Sequence, residues 1–89
     1  MNSNTIEDMA EIRLTRTAAV MAAIRGRMAA RTLAPGDRLP SIRRFAALMG
    51  VSPATVVEAY DRLVAEGLIR ARQGSGFYVT GTGLPPLAL

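Results

Sequence analysis

Two helix signals stand only three residues apart in this chain, and that spacing constrains its fold more than any other feature. Ser41 can accept from the free amides at the start of a helix whose Ile42, Phe45, Leu48 and Met49 share one face, and Gly50 supplies the left-handed stop. Val51, Ser52 and Pro53 then restart a helix at once, with Ser52 as N-cap and Pro53 at the first helical position, where its missing N–H does no harm. A short helix, Ile42 to Met49, followed after about three residues by another running to about Glu66, has to fold back on itself.

The flanking segments complete the pattern. Before Pro35 and Gly36, Leu14, Met21, Ile24 and Met28 recur at helical spacing, which predicts a first helix over roughly 16–31, with residues 1–15 as an arm or a helix extension. On the third helix, Val56, Val57, Tyr60, Leu63 and Val64 fall within one arc, while Ala54, Thr55, Glu58, Asp61 and Arg62 point away. After Gly67 the period becomes extended. Residues 68–72 and 77–80 flank Gln73, Gly74, Ser75 and Gly76 and read as a hairpin with a glycine-rich tip. The expected fold is therefore mainly α with a small β-hairpin: a winged helix-turn-helix of three helices and a two-stranded wing over 16–80. Residues 81–89, with two prolines, two glycines and three leucines, read as a linker-like tail.

Composition removes most catalytic chemistry. Eighty-nine residues make room for one small domain. The chain contains no cysteine and no histidine, and all 11 of its basic residues are arginine. Thiol and imidazole catalysis, zinc–thiolate sites and lysine Schiff bases are thereby excluded, and the expectation is a protein that is not an enzyme and holds no metal or cofactor. No stretch approaches the roughly 18 apolar residues of a membrane span. Met1 to Asp8 carries Glu7 and Asp8 rather than a basic then apolar run, so no membrane partner and a cytoplasmic location are expected. The net charge of +4 favours a polyanion.

Charge placement narrows that polyanion to duplex DNA. The first turn of the third helix, Ser52 to Thr55, has no acid and offers free amides with the positive end of the helix dipole, whereas Glu58, Asp61 and Glu66 lie further on. Arg43 and Arg44 occupy the start of the second helix, off its apolar arc, and Arg70 and Arg72 alternate on the strand leading to the hairpin tip. Gly74 and Gly76 let the tip backbone approach sugar and phosphate, with Gln73 and Ser75 as donors. If about four phosphates are neutralised, affinity falls roughly a hundred-fold between 50 and 200 mM salt. The competing expectation is a winged-helix module that docks protein, its arginines meeting acidic side chains.

The run Leu39-Pro40-Ser41-Ile42-Arg43-Arg44-Phe45-Ala46, followed by Gly50-Val51-Ser52, Thr55-Val56, Ala59-Tyr60, Glu66-Gly67-Leu68-Ile69 and Gly74-Ser75-Gly76-Phe77-Tyr78-Val79, resembles the DNA-binding domain of the GntR family of bacterial transcription regulators. Val57 to Leu63 together with Gly74 to Val79 is most similar to the MocR subgroup, whose members carry an aminotransferase-like, pyridoxal-phosphate-binding domain after a linker. The resemblance implies DNA contacts from Arg43, from the start of the third helix and from Gly74. It also implies pyridoxal phosphate only in a longer parent protein, since the effector domain is absent from this chain. Pro53 stands where relatives often have arginine, and Val57 where some subgroups place another. Base readout then falls to Thr55, Ala54 and Arg44, for instance through methyl contacts to thymine. Placement and resemblance together give an interface of Ser41, Arg43 and Arg44, then Ser52, Pro53, Ala54 and Thr55, then Arg72, Gln73, Gly74, Ser75 and Gly76.

One module buries only about 600 to 1,000 Å² on DNA, so a homodimer on two half-sites is expected. On the first helix Ala18, Ala22, Gly26 and Ala29 form a small-residue face suited to close approach by a second helix.

Overall fold

The computed structural model describes residues 5–81, with side chains from Glu11 onward except Arg13. Three helices and a hairpin follow in order: α1 (Thr5–Ala29), α2 (Ile42–Met49), α3 (Pro53–Ala65), β1 (Ile69–Arg72) and β2 (Gly76–Val79). The first helix thus begins at Thr5, as the extension rather than the arm. The expectation for residues 1–4, and for the tail beyond Gly81, lies outside the described residues.

Local chemistry sets the two central helices. The Ser41 hydroxyl accepts from the Arg44 N–H at 3.1 Å, and Gly50 closes α2 at φ 70. The Ser52 hydroxyl accepts from the Thr55 N–H at 3.2 Å to open α3. At the other junction α1 ends at Ala29, two residues before the expected limit. Arg31 takes φ 64, while the Thr32 and Leu33 N–H groups both donate to the Arg27 carbonyl. A non-glycine residue therefore performs the left-handed termination that usually falls to glycine.

The core lies where α1 and α2 pack on α3 and the hairpin covers the end. Val20, Ile24, Phe45, Val56, Ala59, Tyr60 and Leu63 are fully buried, joined by Ile69 and Val79 from the strands. Tyr60 centres an aromatic cluster, 5.1 Å edge-on from Phe77 and 6.4 Å from Phe45. Two polar links have the same sequence offset, Thr17 to Glu58 and Arg25 to Glu66, so α1 and α3 run in the same direction side by side.

Several apolar positions expected inside lie outside. Leu14 and Leu48 are exposed, because packing of α1 begins at Thr17 and the buried edge of α2 is Phe45 and Ala46. On α3 the buried arc is rotated: Thr55 and Ala59 are inside, whereas Val57 and Val64 are exposed.

The strands pair antiparallel from Ile69 opposite Val79 to Arg72 opposite Gly76, which moves Gly76 from the tip into the strand and leaves 73–75 as the loop. A further extended segment joins β2 on its other edge. The Leu39 N–H donates to Phe77 O at 2.8 Å, the Val79 N–H to Asp37 O at 2.8 Å and the Gly36 N–H to Val79 O at 3.0 Å, placing Arg38 opposite Tyr78. Residues 36–39 thus tie the entry of α2 to the wing.

Candidate nucleic-acid interface

Two of the three acids in and just after α3 are engaged by other side chains. Glu58 accepts from the Thr17 hydroxyl at 3.4 Å and from the Arg62 guanidinium at 3.2 Å, and Glu66 pairs with Arg25. Asp61 is exposed and has no ion pair among the described residues. Near the start of the helix the exposed residues are Ser52, Pro53, Ala54 and Val57, a short, uncharged surface. Pro53 has no N–H and the Thr55 N–H is engaged by the Ser52 cap, so it is the positive end of the helix dipole that makes this end attractive to an anion.

Thr55 needs correction. Assigned from the helical wheel to the outward side, it is buried, and its hydroxyl lies 3.0 Å from that of Ser52, so both hydroxyls belong to the cap. Its side chain fixes the start of α3 from within. Val57, placed by the same wheel in the core, takes the outward position one turn on from Pro53 and Ala54.

On the first turn of α2, Arg43 and Arg44 are exposed, and neither forms an ion pair among the described residues. Ser41 is exposed as well, its hydroxyl engaged with the Arg44 amide. A groove of about 860 Å³ runs along this turn, with Arg27, Arg38 and Arg44 among its lining residues and no carboxylate among them. The Arg27 guanidinium lies 5.0 Å from the ring centroid of Phe45. That cation also opposes, in part, the effect of burial on Tyr60, whose hydroxyl is pushed up to about 12.

At the wing, Gln73 and Gly74 are exposed at the tip. Ser75 is less free than expected: its N–H donates to Arg72 O at 2.9 Å within the turn, and its hydroxyl shares a hydrogen bond with that of Tyr78. The Arg72 guanidinium sits 5.4 Å from the Tyr78 ring centroid. Gly76 is half-buried against Arg38, a residue that sequence reasoning passed over.

Residues 16–79 match the family described as bacterial regulatory proteins, gntR family. The chain belongs to this family. Among curated relatives of this GntR chain, the probable rhizopine catabolism regulatory protein MocR of Rhizobium meliloti is 42% identical over 66 residues, 74% of this chain and 13% of that protein. The uncharacterized HTH-type regulator YdcR of Escherichia coli is 56% identical over 45 residues, 51% of this chain and 10% of that one. The chain therefore spans about a tenth of the length of these two relatives. Of solved structures, the DNA-binding domain of AraR in complex with operator ORX1 superposes with TM-score 0.70 at 28% identity, covering 73% of this chain and 78% of that one. YtrA from Sulfolobus acidocaldarius, a GntR-family transcription factor, gives 0.68 at 37% identity, covering 73% and 68%. The three helices and antiparallel hairpin are thus the winged helix-turn-helix of GntR DNA-binding domains.

Proposed function

We propose that this GntR domain binds double-stranded DNA sequence-selectively, with the start of α3 in the major groove and the wing at the flanking backbone or minor groove. The distribution of charge carries the reading. Among the described residues Arg43 and Arg44 have no ion pair, while Glu58 of α3 and Glu66 just after it are engaged by other partners. Only the uncharged first turn of α3 can then approach a phosphate-lined groove without repulsion. A domain of this fold, that of AraR, has been crystallised in complex with operator DNA, which supports a duplex as the partner.

Within this reading Arg43, Arg44 and Arg72 hold phosphates, and the backbone at Gln73 and Gly74 approaches the sugar-phosphate chain. Pro53, Ala54 and Val57 offer apolar contact to thymine methyl groups, and Ser52 with Thr55 holds the helix end in position. Two copies bind as a homodimer on half-sites about one helical turn apart. In a longer cytoplasmic parent of MocR type, pyridoxal phosphate belongs to a separate domain.

Selection of bound sequences from a random duplex library at fixed salt tests the reading. Enrichment of a motif whose binding weakens steeply with salt is the expected outcome. Absence of any salt-dependent duplex binding would instead point to a protein-docking module.

A further inference from the structure

A basic face stands on the side of the wing that points away from the core. Alternation along the strands turns Ile69, Phe77, Val79 and Leu39 toward the helices, and all four pack in or against the core. The opposite face carries Arg38, Tyr78 and Arg70 in one row, since Arg38 and Arg70 both pair with Tyr78 from opposite edges. Arg72 reaches the same tyrosine, its guanidinium carbon 5.4 Å from the ring centroid. Three arginines therefore share this face with one half-buried tyrosine.

None of the three forms an ion pair among the described residues. The ion pairs among the described residues are Arg25 with Glu66 and Arg62 with Glu58. Asp37, the acid nearest in sequence, has a carboxylate oxygen accepting from the Ala34 N–H at 2.8 Å. Arg38 and Arg70 are two strand spacings apart, about 9.5 Å, which at physiological ionic strength is close to the screening length of about 8 Å. At that spacing their mutual repulsion is largely screened, and an anion lying between them meets both charges. Guanidinium forks match phosphate oxygens in pairs, so the fitting anion is a polymer of phosphates.

Gly76 adds the geometric observation. A Cβ built on it would lie 3.1 Å from Arg38 Nε and 3.4 Å from one of its terminal nitrogens, at a backbone φ of 130. The absent side chain is what allows the Arg38 guanidinium to lie along the wing.

We propose that Arg38, Arg70 and Arg72 form a second phosphate-binding face, which grips the DNA backbone flanking the segment met by α3, with Gly76 as the seat for Arg38. This inference rests on the DNA-binding reading above. It extends the footprint outward from the wing tip along the strands and adds Arg38, supplied by the segment before α2.

The test measures affinity against salt for the full chain on two duplexes, one limited to the selected motif and one with several flanking base pairs on each side. On the longer duplex Arg38→Gln and Arg70→Gln are each expected to lose about ten-fold in affinity and to flatten the salt slope by about one. On the short duplex both should match wild type. Gly76→Ala should resemble Arg38→Gln, with thermal unfolding recorded to confirm that each variant is folded. Unchanged affinity and slope for both glutamine variants on the longer duplex, with tight wild-type binding, would overturn the second face and leave the DNA reading intact. Failure of the wild type to bind either duplex removes both.

Discussion

The Tyr60 hydroxyl donates to the Pro40 carbonyl at 2.8 Å, joining the middle of α3 to the residue that leads into α2. This bond crosses the helix-turn-helix from inside and fixes how α2 lies over α3. Burial pushes the hydroxyl up from 10.0 to about 12, with Arg27 opposing. Above pH 10 the unfolded chain releases a proton that the folded chain still holds, so stability is complete below 10 and declines as pH rises toward about 12. Two units correspond to about 2 to 3 kcal/mol. Tyr60→Phe should be about 1 to 2 kcal/mol less stable at pH 7, because the Pro40 carbonyl loses its donor, yet should lack this alkaline decline. Urea titrations of both proteins at pH 7, 9.5 and 11.5 check it.

Arg31 terminates α1 at φ 64 with an exposed side chain. Glycine adopts that conformation without the Cβ clash. Arg31→Gly is therefore expected to stabilise the domain by about 0.5 to 1 kcal/mol, after allowance for the greater freedom of the unfolded chain. For a domain of this size that raises Tm by about 4 °C. A lowered Tm would mean that the arginine side chain contributes more than the strain removes.

Thr55 lies in the cap with Ser52, whereas Ala54 and Val57 face outward. Thr55→Val should destabilise the domain by about 1 kcal/mol through loss of the hydroxyl pair, while leaving the order of preferred DNA sequences as in wild type. Ala54→Ser or Val57→Ser should reorder those preferences with little change in Tm. Sequence selection on the three variants separates the roles, and a reordered profile for Thr55→Val would make it a reader of bases.

Arg43 is exposed with no ion pair among the described residues, while Arg62 is held by Glu58 one turn away. Arg43→Ala should weaken all duplexes about equally and flatten the salt slope by about one. Arg62→Ala should change neither and should lower stability by only a few tenths of a kcal/mol. Salt titrations of both variants on a preferred and a scrambled duplex give the comparison.

Features whose partners lie within a few residues were legible in the chain itself. Ser41 with Arg44, Gly50 as a stop, and Ser52 with Pro53 place α2 and α3 at the bounds expected, because capping hydrogen bonds span three residues and need no tertiary context. The change of period after Gly67 marks the hairpin for the same reason, with the second strand starting one residue earlier than expected, at Gly76. A helical wheel, by contrast, reports which residues cluster and leaves open which edge of the cluster a neighbour covers. Packing against α1 and α2 decided that Thr55 and Ala59 go inside and Val57 and Val64 stay out.

By itself, then, the amino-acid order determined the element types, the turn between α2 and α3, and the exclusion of thiol, imidazole and lysine chemistry, all consequences of local bonding and residue inventory. Tertiary structure alone decided that Glu58 and Glu66 turn toward α1 and that Arg38 joins the wing. These contacts bridge 41 residues between α1 and α3. Arg38 likewise meets a strand near the far end of the domain. Chain closure over such distances is governed by how the core packs, and no pattern among neighbouring residues encodes it.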